Sequence, residues 1–232
     1  MSKRVIIVGA GLAGLTAACA AAREGAPVLV VDRGPIGMGT NSALANGVMS
    51  GPSERFKPED HIRDTLRVGG GLNCTSRVRL LAREAPSGFQ FLRSAGVPVK
   101  ERGAQRTVVS PDPQVIPGVT LMRKLADHAR GLDGVHTLPG FCVTGLRCGD
   151  GRVCGVRGFN RQGEDLEIEA PAVVLATGGA GAVYGRHDNQ KRIMGQGYAL
   201  AARAGLELLD MEFVQFYPVG LADPGLPARI VY

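Results

Sequence analysis

The sequence lacks the features that mark membrane-spanning and nucleic-acid-binding proteins. Apart from the first 22 residues, no apolar run approaches the ~20 residues that cross a bilayer. The formal net charge is +6, yet no run of five or more basic residues occurs. A nucleic-acid partner is disfavoured because Lys and Arg do not form a stripe interleaved with exposed aromatic residues. A scattered positive charge suits an anionic small ligand instead.

Cysteine is scarce, and its spacing does not match a metal site or a disulfide framework. No C-x-x-C pair occurs and the total is odd, which argues against both. Reduced thiols are the expectation, and they favour a cytoplasmic protein. The five cysteines are Cys19, Cys74, Cys142, Cys148 and Cys154.

The first 22 residues imitate an export signal, with a basic start and a long run of small apolar residues. Three regularly placed glycines interrupt that run, and a clean A-x-A cleavage site with a polar start after it is missing. Export is therefore disfavoured, and we expect no direct membrane insertion.

Glycine, by contrast, is abundant, at 34 of 232 residues. This is roughly twice the average share of about 7%. The glycines are dispersed without a period, which excludes a collagen-like chain and a linker. They predict many tight turns and places where the backbone approaches a ligand closely.

The first 35 residues predict a strand, a turn, a helix and a second strand. Val5–Val8 is a short β-branched run that is typical of a buried parallel strand. The Ala-rich segment Leu12–Arg23 predicts a helix that ends before Gly25, and Val28–Val31 predicts a strand that ends on Asp32. The turn between the first strand and the helix has the spacing G-x-G-x-x-G.

Each residue type in this motif has a physical reason. Gly9 allows a sharp turn, Gly11 lets a pyrophosphate approach the backbone, and Gly14 lets the helix pack closely on the strand. The helix N-terminus offers N–H groups and a partial positive charge to phosphates. Asp32 is at the distance expected of an acid that binds a ribose hydroxyl. The motif predicts dinucleotide binding but leaves FAD and NAD open; Arg33 could pair with a 2′-phosphate but is more often solvated.

The segment Gly37–Gly51 has no helical or strand period and is rich in small residues and amides. We expect its backbone to press against a planar ligand, because its apolar residues suit a flexible surface loop poorly. Its candidate hydrogen-bonding side chains are Thr40, Asn41, Ser42 and Asn46.

The rest of the chain predicts helices, then a meander, then a strand and a helix. The helical pattern from Pro58 to Ala95 is expected to break in two at Pro86 and Gly88. "FCVTGLRCGDGRVCGVRGFNRQGEDLEIE" alternates over three strands joined by hairpin turns. A strand at Ala172–Ala176 leads into a second glycine cluster, and a helix follows at 195–204. These patterns predict an α/β fold with a parallel sheet.

These landmarks resemble a known family. The glycine motif with Asp32, "TNSALANG", "HIRDTLRVGGGLN", "VVLATGGAGAVY" and "GQGYALAARAGLELLDMEFVQFYPVGL" occur in its order. The chain is similar to the N-terminal part of the flavoprotein subunit of succinate dehydrogenases and fumarate reductases, a family that includes L-aspartate oxidase. The resemblance implies a Rossmann-like FAD-binding domain at 1–210, and the beginning of a capping domain at 211–232.

The resemblance also implies FAD as the cofactor and hydride transfer between the flavin and a small substrate, such as a carboxylate. The cofactor contacts that it implies, together with those of the motif, are Gly9, Ala10, Gly11, Leu12, Ala13, Gly14, Asp32, Arg33, Thr40, Asn41, Ser42, Ala45, Asn46, Gly47, Val143, Ala176, Thr177, Gly178, Asn189 and Gln196.

Three departures from the family pattern bear on function. Asn41 stands where respiratory members carry the histidine that bonds covalently to FAD, so we expect non-covalent FAD. Gln196 replaces an acid. Tyr217, next to the predicted substrate residue Gln215, replaces a histidine that helps to hold a substrate carboxylate, and Val219 replaces the threonine that follows it. Both losses make a C4 dicarboxylate a doubtful substrate.

Family members are considerably longer, and their catalytic groups are expected beyond Tyr232. We therefore expect an N-terminal portion that is completed by further polypeptide, such as a second chain, or that works with an electron-transfer subunit. The alternative is a non-catalytic flavin-binding module or an inactive fragment. An NAD-linked dehydrogenase is weakened by "TNSALANG", and a tRNA-modifying flavoenzyme by the lack of a basic tract.

Overall fold

The computed structural model describes residues 4–216. The chain forms two compact units, which we call the split unit and the inserted unit. The split unit comprises Met1–Leu44 and Ala129–Tyr232, and the inserted unit comprises Ala45–His128. Since Tyr217 lies outside the described residues, its predicted role is not addressed by the structure.

Strands and helices are numbered in chain order. The strands are β1 (Val5–Val8), β2 (Val28–Asp32), β3 (Val48–Ser50), β4 (Val99–Arg102), β5 (Gln105–Val108), β6 (Val135–Pro139), β7 (Cys142–Gly149), β8 (Arg152–Phe159), β9 (Asp165–Glu169) and β10 (Ala172–Leu175). The helices are α1 (Leu12–Arg23), α2 (Asn41–Leu44), α3 (Pro58–Val68), α4 (Thr75–Ser94), α5 (Pro117–Arg130) and α6 (Gln196–Arg203), with a short 3-10 turn at Gly181–Val183.

A four-stranded parallel sheet forms the centre of the split unit, in the order β10-β1-β2-β6. Its register pairs Val5 with both Val28 and Ala172. The first four residues of β2 are all buried, which is what a parallel sheet covered on both faces requires of its strands. The predicted α/β class, the first two strands and the bounds of α1 are confirmed.

The two faces of this sheet have different covers. Since side chains alternate along a strand, Ile6 and Leu29 share one face and Ile7 and Val30 share the other. The first face packs in one cluster with residues of the antiparallel meander β7-β8-β9. Helix α1, whose Leu15 is fully buried, covers β1 and β2. The buried cluster on the meander side contains Ile6, Val8, Leu29, Val31, Phe141, Val156 and Ala170.

Four strands were not predicted from the sequence: β3, β4, β5 and β6. β6 pairs in parallel with β2, yet its sequence VHTLP offers no apolar run. β4 and β5, VKER and QRTV, form an antiparallel sheet with β3 in the inserted unit, in the order β3-β5-β4. Such short and polar strands are specified by their pairing partners, because strand propensity depends strongly on context.

The sequence of Gly37–Gly51 lacks a helical or strand period and so predicts a loop, which is wrong because the segment contains α2 and β3. A four-residue helix is too short to produce a visible period. It is fixed instead by Thr40, whose Oγ1 accepts a hydrogen bond from the Ala43 N–H at 3.2 Å. This is the bond of an N-terminal cap.

The expected break at Pro86 and Gly88 is also wrong. α4 is continuous over 20 residues, with Pro86 inside it. Proline removes one backbone hydrogen bond, but its ring lies on the exposed side of the helix. Buried side chains on both sides of the proline, Val78, Ala82 and Leu92, hold the two halves in one helix.

We expect Pro86→Ala to stabilise the inserted unit. Alanine restores the missing backbone donor in an exposed helix interior, and the free energy of unfolding should rise by about 1–3 kcal/mol. Urea unfolding followed by circular dichroism measures the change. Ser87→Ala, at the next exposed position, is the matched control with a small effect; a loss of stability in Pro86→Ala would show that α4 requires its proline.

Candidate cofactor-binding site

A cavity of about 370 Å³ opens in the split unit. This volume lies within the range of about 300–1,000 Å³ that is usual for small-ligand sites. Its floor includes the carboxyl ends of three parallel strands, at Val8, Val31 and Leu175. Open α/β sheets bind their ligands at this edge.

The structure brings most of the predicted cofactor residues to this one cavity. Those that line it are Gly9, Ala10, Gly11, Leu12, Ala13, Asp32, Arg33, Thr40, Ser42, Val143, Ala176, Thr177, Gly178 and Gln196. They come from the first glycine motif, the end of β2, the segment around α2, the start of the meander, the second glycine cluster and the start of α6.

The remaining predicted residues have other positions. Gly14 lies beneath the glycine turn, and Ala45, Asn46 and Gly47 belong to the inserted unit. Asn41 and Asn189 do not line the cavity and are hydrogen-bonded to each other. Gln215, the predicted substrate residue, is exposed near the end of the described segment.

Two of the three motif glycines are required by the protein itself. Gly9 has φ +107°, and a Cβ there would overlap the carbonyl group of Ala176. A Cβ on Gly14 would overlap the carbonyl oxygen of Gly9. The absence of side chains therefore lets α1 begin directly against the ends of β1 and β10.

Gly11 is different, because the protein leaves space for a side chain there. Its backbone is extended, with φ −77° and ψ −173°, which any residue adopts. The nearest atom to a Cβ would be Ser42 Oγ, at an ordinary contact distance of 3.6 Å. The position faces the cavity. The packing of the fold therefore does not require a glycine at this place.

Asp32 ties the glycine turn to the end of β2. Its Oδ2 accepts a hydrogen bond from the Ala10 N–H at 2.8 Å, and its Oδ1 accepts one from the Gly34 N–H at 2.7 Å. Each carboxylate oxygen has a second lone pair, so Asp32 can still accept a hydrogen bond from a ligand hydroxyl. The acid thus has a structural role in addition to the predicted one.

The segment around α2 and the start of α6 complete the walls. Ser42 Oγ accepts a hydrogen bond from the Leu12 N–H at 3.2 Å, which places α2 at the N-terminus of α1. Gly197, in the first turn of α6, lies against the side chain of Thr177, where a Cβ would overlap the hydroxyl oxygen. Hydroxyls, backbone amides and one carboxylate thus converge on the cavity. This is the chemistry of a binding site.

Sequence reasoning missed several wall residues. Phe141 follows the unpredicted strand β6, and its N–H donates to the backbone oxygen of Asp32 at 3.0 Å. The residues of α6 could have been found, since Gly197, Leu200 and Ala201 follow the i, i+3, i+4 spacing of one helix face. The missed lining residues are Val8, Val31, Gly39, Phe141, Cys142, Leu175, Ile193, Gly197, Tyr198, Leu200 and Ala201.

Cys19, on the buried face of α1, has a packing role. Burial raises the pKa of its thiol, and the nearby charge of Arg23 opposes this rise. The side chain therefore behaves as a small apolar group. Within residues 4–216, we find neither a group of His, Cys, Asp and Glu suited to a metal ion nor a helix long and apolar enough to cross a membrane.

Adding a methyl group should destabilise the protein more at Gly14 than at Gly11. Gly14→Ala should lower the free energy of unfolding by about 1–3 kcal/mol, because the methyl group overlaps a fixed backbone oxygen. Gly11→Ala should cost no more than about 1 kcal/mol, the typical effect of alanine at a helix N-cap, because its methyl group meets no atom closer than 3.6 Å. Urea unfolding of both variants measures the difference, and equal losses would contradict the packing argument.

Comparison with known proteins identifies the family. The model of the FAD binding domain matches residues 4–231. An L-aspartate oxidase of Agrobacterium fabrum is 35% identical over 241 aligned residues, which cover 97% of this chain and 45% of that protein. One subunit of the fumarate reductase (CoM/CoB) of Methanothermobacter marburgensis is 30% identical, and the match covers 95% of this chain and 43% of that protein.

A solved structure agrees with these relatives. The FrdA chain of E. coli quinol fumarate reductase is 29% identical and superposes with a TM-score of 0.85 over 95% of this chain and 40% of that one. The chain thus spans less than half the length of each of these three proteins. The prediction of FAD rather than NAD is confirmed by the family match. The chain belongs to the FAD binding domain family, to which its resemblance to fumarate reductase flavoproteins and L-aspartate oxidases had pointed.

Proposed function

We propose that this chain holds FAD non-covalently in the cavity of the split unit, as the cofactor-binding part of an oxidoreductase. One observation carries the proposal. At Gly11 the protein leaves space beside the N-terminus of α1 that its own packing does not need. A pyrophosphate in that space would accept hydrogen bonds from backbone N–H groups and meet the positive end of the helix dipole.

The residues around the cavity match the parts of the cofactor. Asp32, at the end of β2, is proposed to accept a hydrogen bond from a ribose hydroxyl, while Arg33 borders the same end. Gln196, at the opposite glycine cluster, offers an amide without charge. These groups would bind and orient FAD, and the bound flavin would supply the capacity to accept or give a hydride.

Non-covalent binding follows from the chemistry at residue 41. Asn41 carries an amide, which has no nucleophilic nitrogen to bond to the flavin. Both ends of this amide make hydrogen bonds within the protein, with the Asn189 side chain and the Gln190 backbone. The cofactor is therefore proposed to leave the protein when the fold is lost.

The proposed activity is hydride transfer between FAD and a small substrate, carried out by a whole protein of which this chain is the FAD-binding part. Relatives named L-aspartate oxidase and fumarate reductase support a redox role, and the chain matches under half of their length. Catalytic groups are proposed to lie outside residues 1–232, in the same polypeptide or in a second chain. Residues 211–232, with Gln215 and Tyr217, are proposed to begin the substrate-capping region. The cytoplasm is the proposed location.

A non-catalytic flavin-binding module is the second candidate. It is favoured by the neutral Gln196 and Tyr217, which stand where the family resemblance implies an acid and a histidine. Reduction of bound FAD distinguishes the two candidates in the intact protein. Bleaching of the flavin band by a small substrate supports the enzyme, and a band that no tested amino acid or carboxylate bleaches supports the module.

The purified chain should carry or take up a yellow flavin, which acid precipitation then releases into the supernatant. Absorption spectra before and after precipitation measure this. Flavin that stays with the precipitate would contradict the non-covalent proposal. A chain that takes up no added FAD would contradict the proposal as a whole.

Gly11→Ala should weaken FAD binding by at least about tenfold, because its methyl group enters the space proposed for the pyrophosphate. Quenching of flavin fluorescence on binding gives the dissociation constants. Gly88→Ala, at a glycine in α4 with no neighbouring atom within 4 Å of its Cβ, is the matched control and should bind like the unchanged chain. Equal affinities of all three proteins would place the pyrophosphate elsewhere.

A further inference from the structure

A chain of directed hydrogen bonds joins two segments beside the cavity. The Gln190 backbone N–H donates to Asn41 Oδ1 at 2.9 Å, and Asn41 Nδ2 donates to Asn189 Oδ1 at 2.6 Å. Asn189 Nδ2 then donates to Asp188 Oδ1 at 3.3 Å. We call these four groups the amide chain.

The direction of the amide chain is fixed at both ends. A backbone N–H can only donate, so the Asn41 oxygen must face Gln190 and its nitrogen must face Asn189. A carboxylate can only accept, so the Asn189 nitrogen must face Asp188 and its oxygen must face Asn41. Both orientations agree, and an amide at position 41 satisfies its two partners at once.

The residues of the amide chain lie next to cavity walls without being walls themselves. Asn41 begins α2 and stands between Thr40 and Ser42, both of which line the cavity. The Asn189 side chain lies against Gly181, where a Cβ would overlap its amide. Gly181 closes the second glycine cluster, whose Gly178 is also a wall residue. The amide chain thus joins the α2 wall to the glycine-cluster wall.

We propose that Asn41 is a positioning residue for the cofactor, acting through the amide chain to hold these two walls at the spacing that FAD requires. The inference rests on the proposed function, because it assumes that FAD occupies the cavity. It differs from a direct cofactor contact, since Asn41 and Asn189 work by binding each other.

Asn41→Asp tests the amide chain with almost no change in size. It replaces the donor that faces Asn189 Oδ1 by an oxygen, so one carboxylate opposes an amide oxygen whichever way Asn189 turns. Loss of one such bond corresponds to about 2–10-fold in a binding constant. We expect FAD affinity to fall within this range, measured by fluorescence quenching.

Adding Asp188→Asn to the Asn41→Asp variant should restore its affinity for FAD. The amide chain can then run in the opposite direction: Asn189 donates to the carboxylate at position 41 and accepts from the amide at position 188, while the Gln190 N–H keeps its acceptor. Affinity within about twofold of the unchanged chain is expected for this pair. Asp188→Asn alone leaves all three bonds in place and should have little effect.

Two controls separate an effect of the broken amide chain on FAD affinity from an effect of the changed net charge. Asn41→Asp with Asp165→Asn, an exposed residue that begins β9, has the same net charge as the rescued pair but leaves the amide chain broken. Measurements at about 1 M salt, where the Debye length is near 3 Å, remove long-range repulsion of the cofactor phosphates. Asn189→Ala supplies a second break, and adding Asn41→Asp to it should weaken binding no further.

Weak binding by Asn41→Asp, rescued by Asp188→Asn and not by Asp165→Asn, supports the proposal. Equal affinity of Asn41→Asp and the unchanged chain overturns it. Equal recovery of the affinity with Asp188→Asn and with Asp165→Asn overturns it as well. These results leave FAD binding itself intact. An unchanged chain that binds no FAD overturns the proposed function together with this inference.

Discussion

The approach of α1 to the end of the parallel sheet is the constraint on which the candidate cofactor site depends. The backbone of Gly14 lies against the carbonyl oxygen of Gly9, and Gly9 in turn lies against Ala176. These contacts leave no volume for a Cβ, so the first turn of the helix begins at the strand ends. The N-terminus of α1, with its partial positive charge, thereby opens into the cavity. Gly11, where the packing leaves space for a side chain, lines the same cavity.

The other walls are attached to this turn by hydrogen bonds. Asp32 holds it through the Ala10 N–H, and Ser42 holds the beginning of α1 through the Leu12 N–H. The amide of Asn41 continues the connection from α2 to the Asn189–Gln190 segment. Hydrogen bonds that hold the walls of a site in place before binding reduce the free energy that binding must spend on ordering them. Neighbouring residues therefore make different contacts: Thr40 and Ser42 line the cavity, whereas Asn41 binds Asn189 and Gln190.

The sequence predicted those parts of the fold whose conformation is set by residues close to one another in the chain. Val5–Val8, α1 and β2 form a contiguous unit with apolar strands, punctuating glycines and a terminal acid, and the structure has them at the predicted places. β6 was missed because it exists as a strand through its pairing with β2 and carries little apolar signal of its own. Pro86 led to a wrong prediction, a break in the helix, for the opposite reason. Its local cost is real, but buried contacts on both sides of it keep α4 in one piece.

The candidate site was likewise predicted in part. Motif residues and the second glycine cluster were predicted, because they carry a recognisable backbone requirement. Phe141 and Cys142 line the cavity because they follow β6, a strand that was not predicted. The pairing of Asn41 with Asn189 joins residues 148 positions apart and has no sequence signal. Patterns along a chain report local conformation, whereas hydrogen bonds between distant loops depend on the completed fold.

The thermal midpoint of the chain as a function of FAD concentration tests the central claim most directly. A ligand that binds only the folded state stabilises it by RT ln(1 + [L]/Kd), or about 2.7 kcal/mol at a hundredfold excess over Kd. The account predicts a midpoint that rises steadily with added FAD and a smaller rise for Gly11→Ala. Equal midpoints with and without saturating FAD would contradict it.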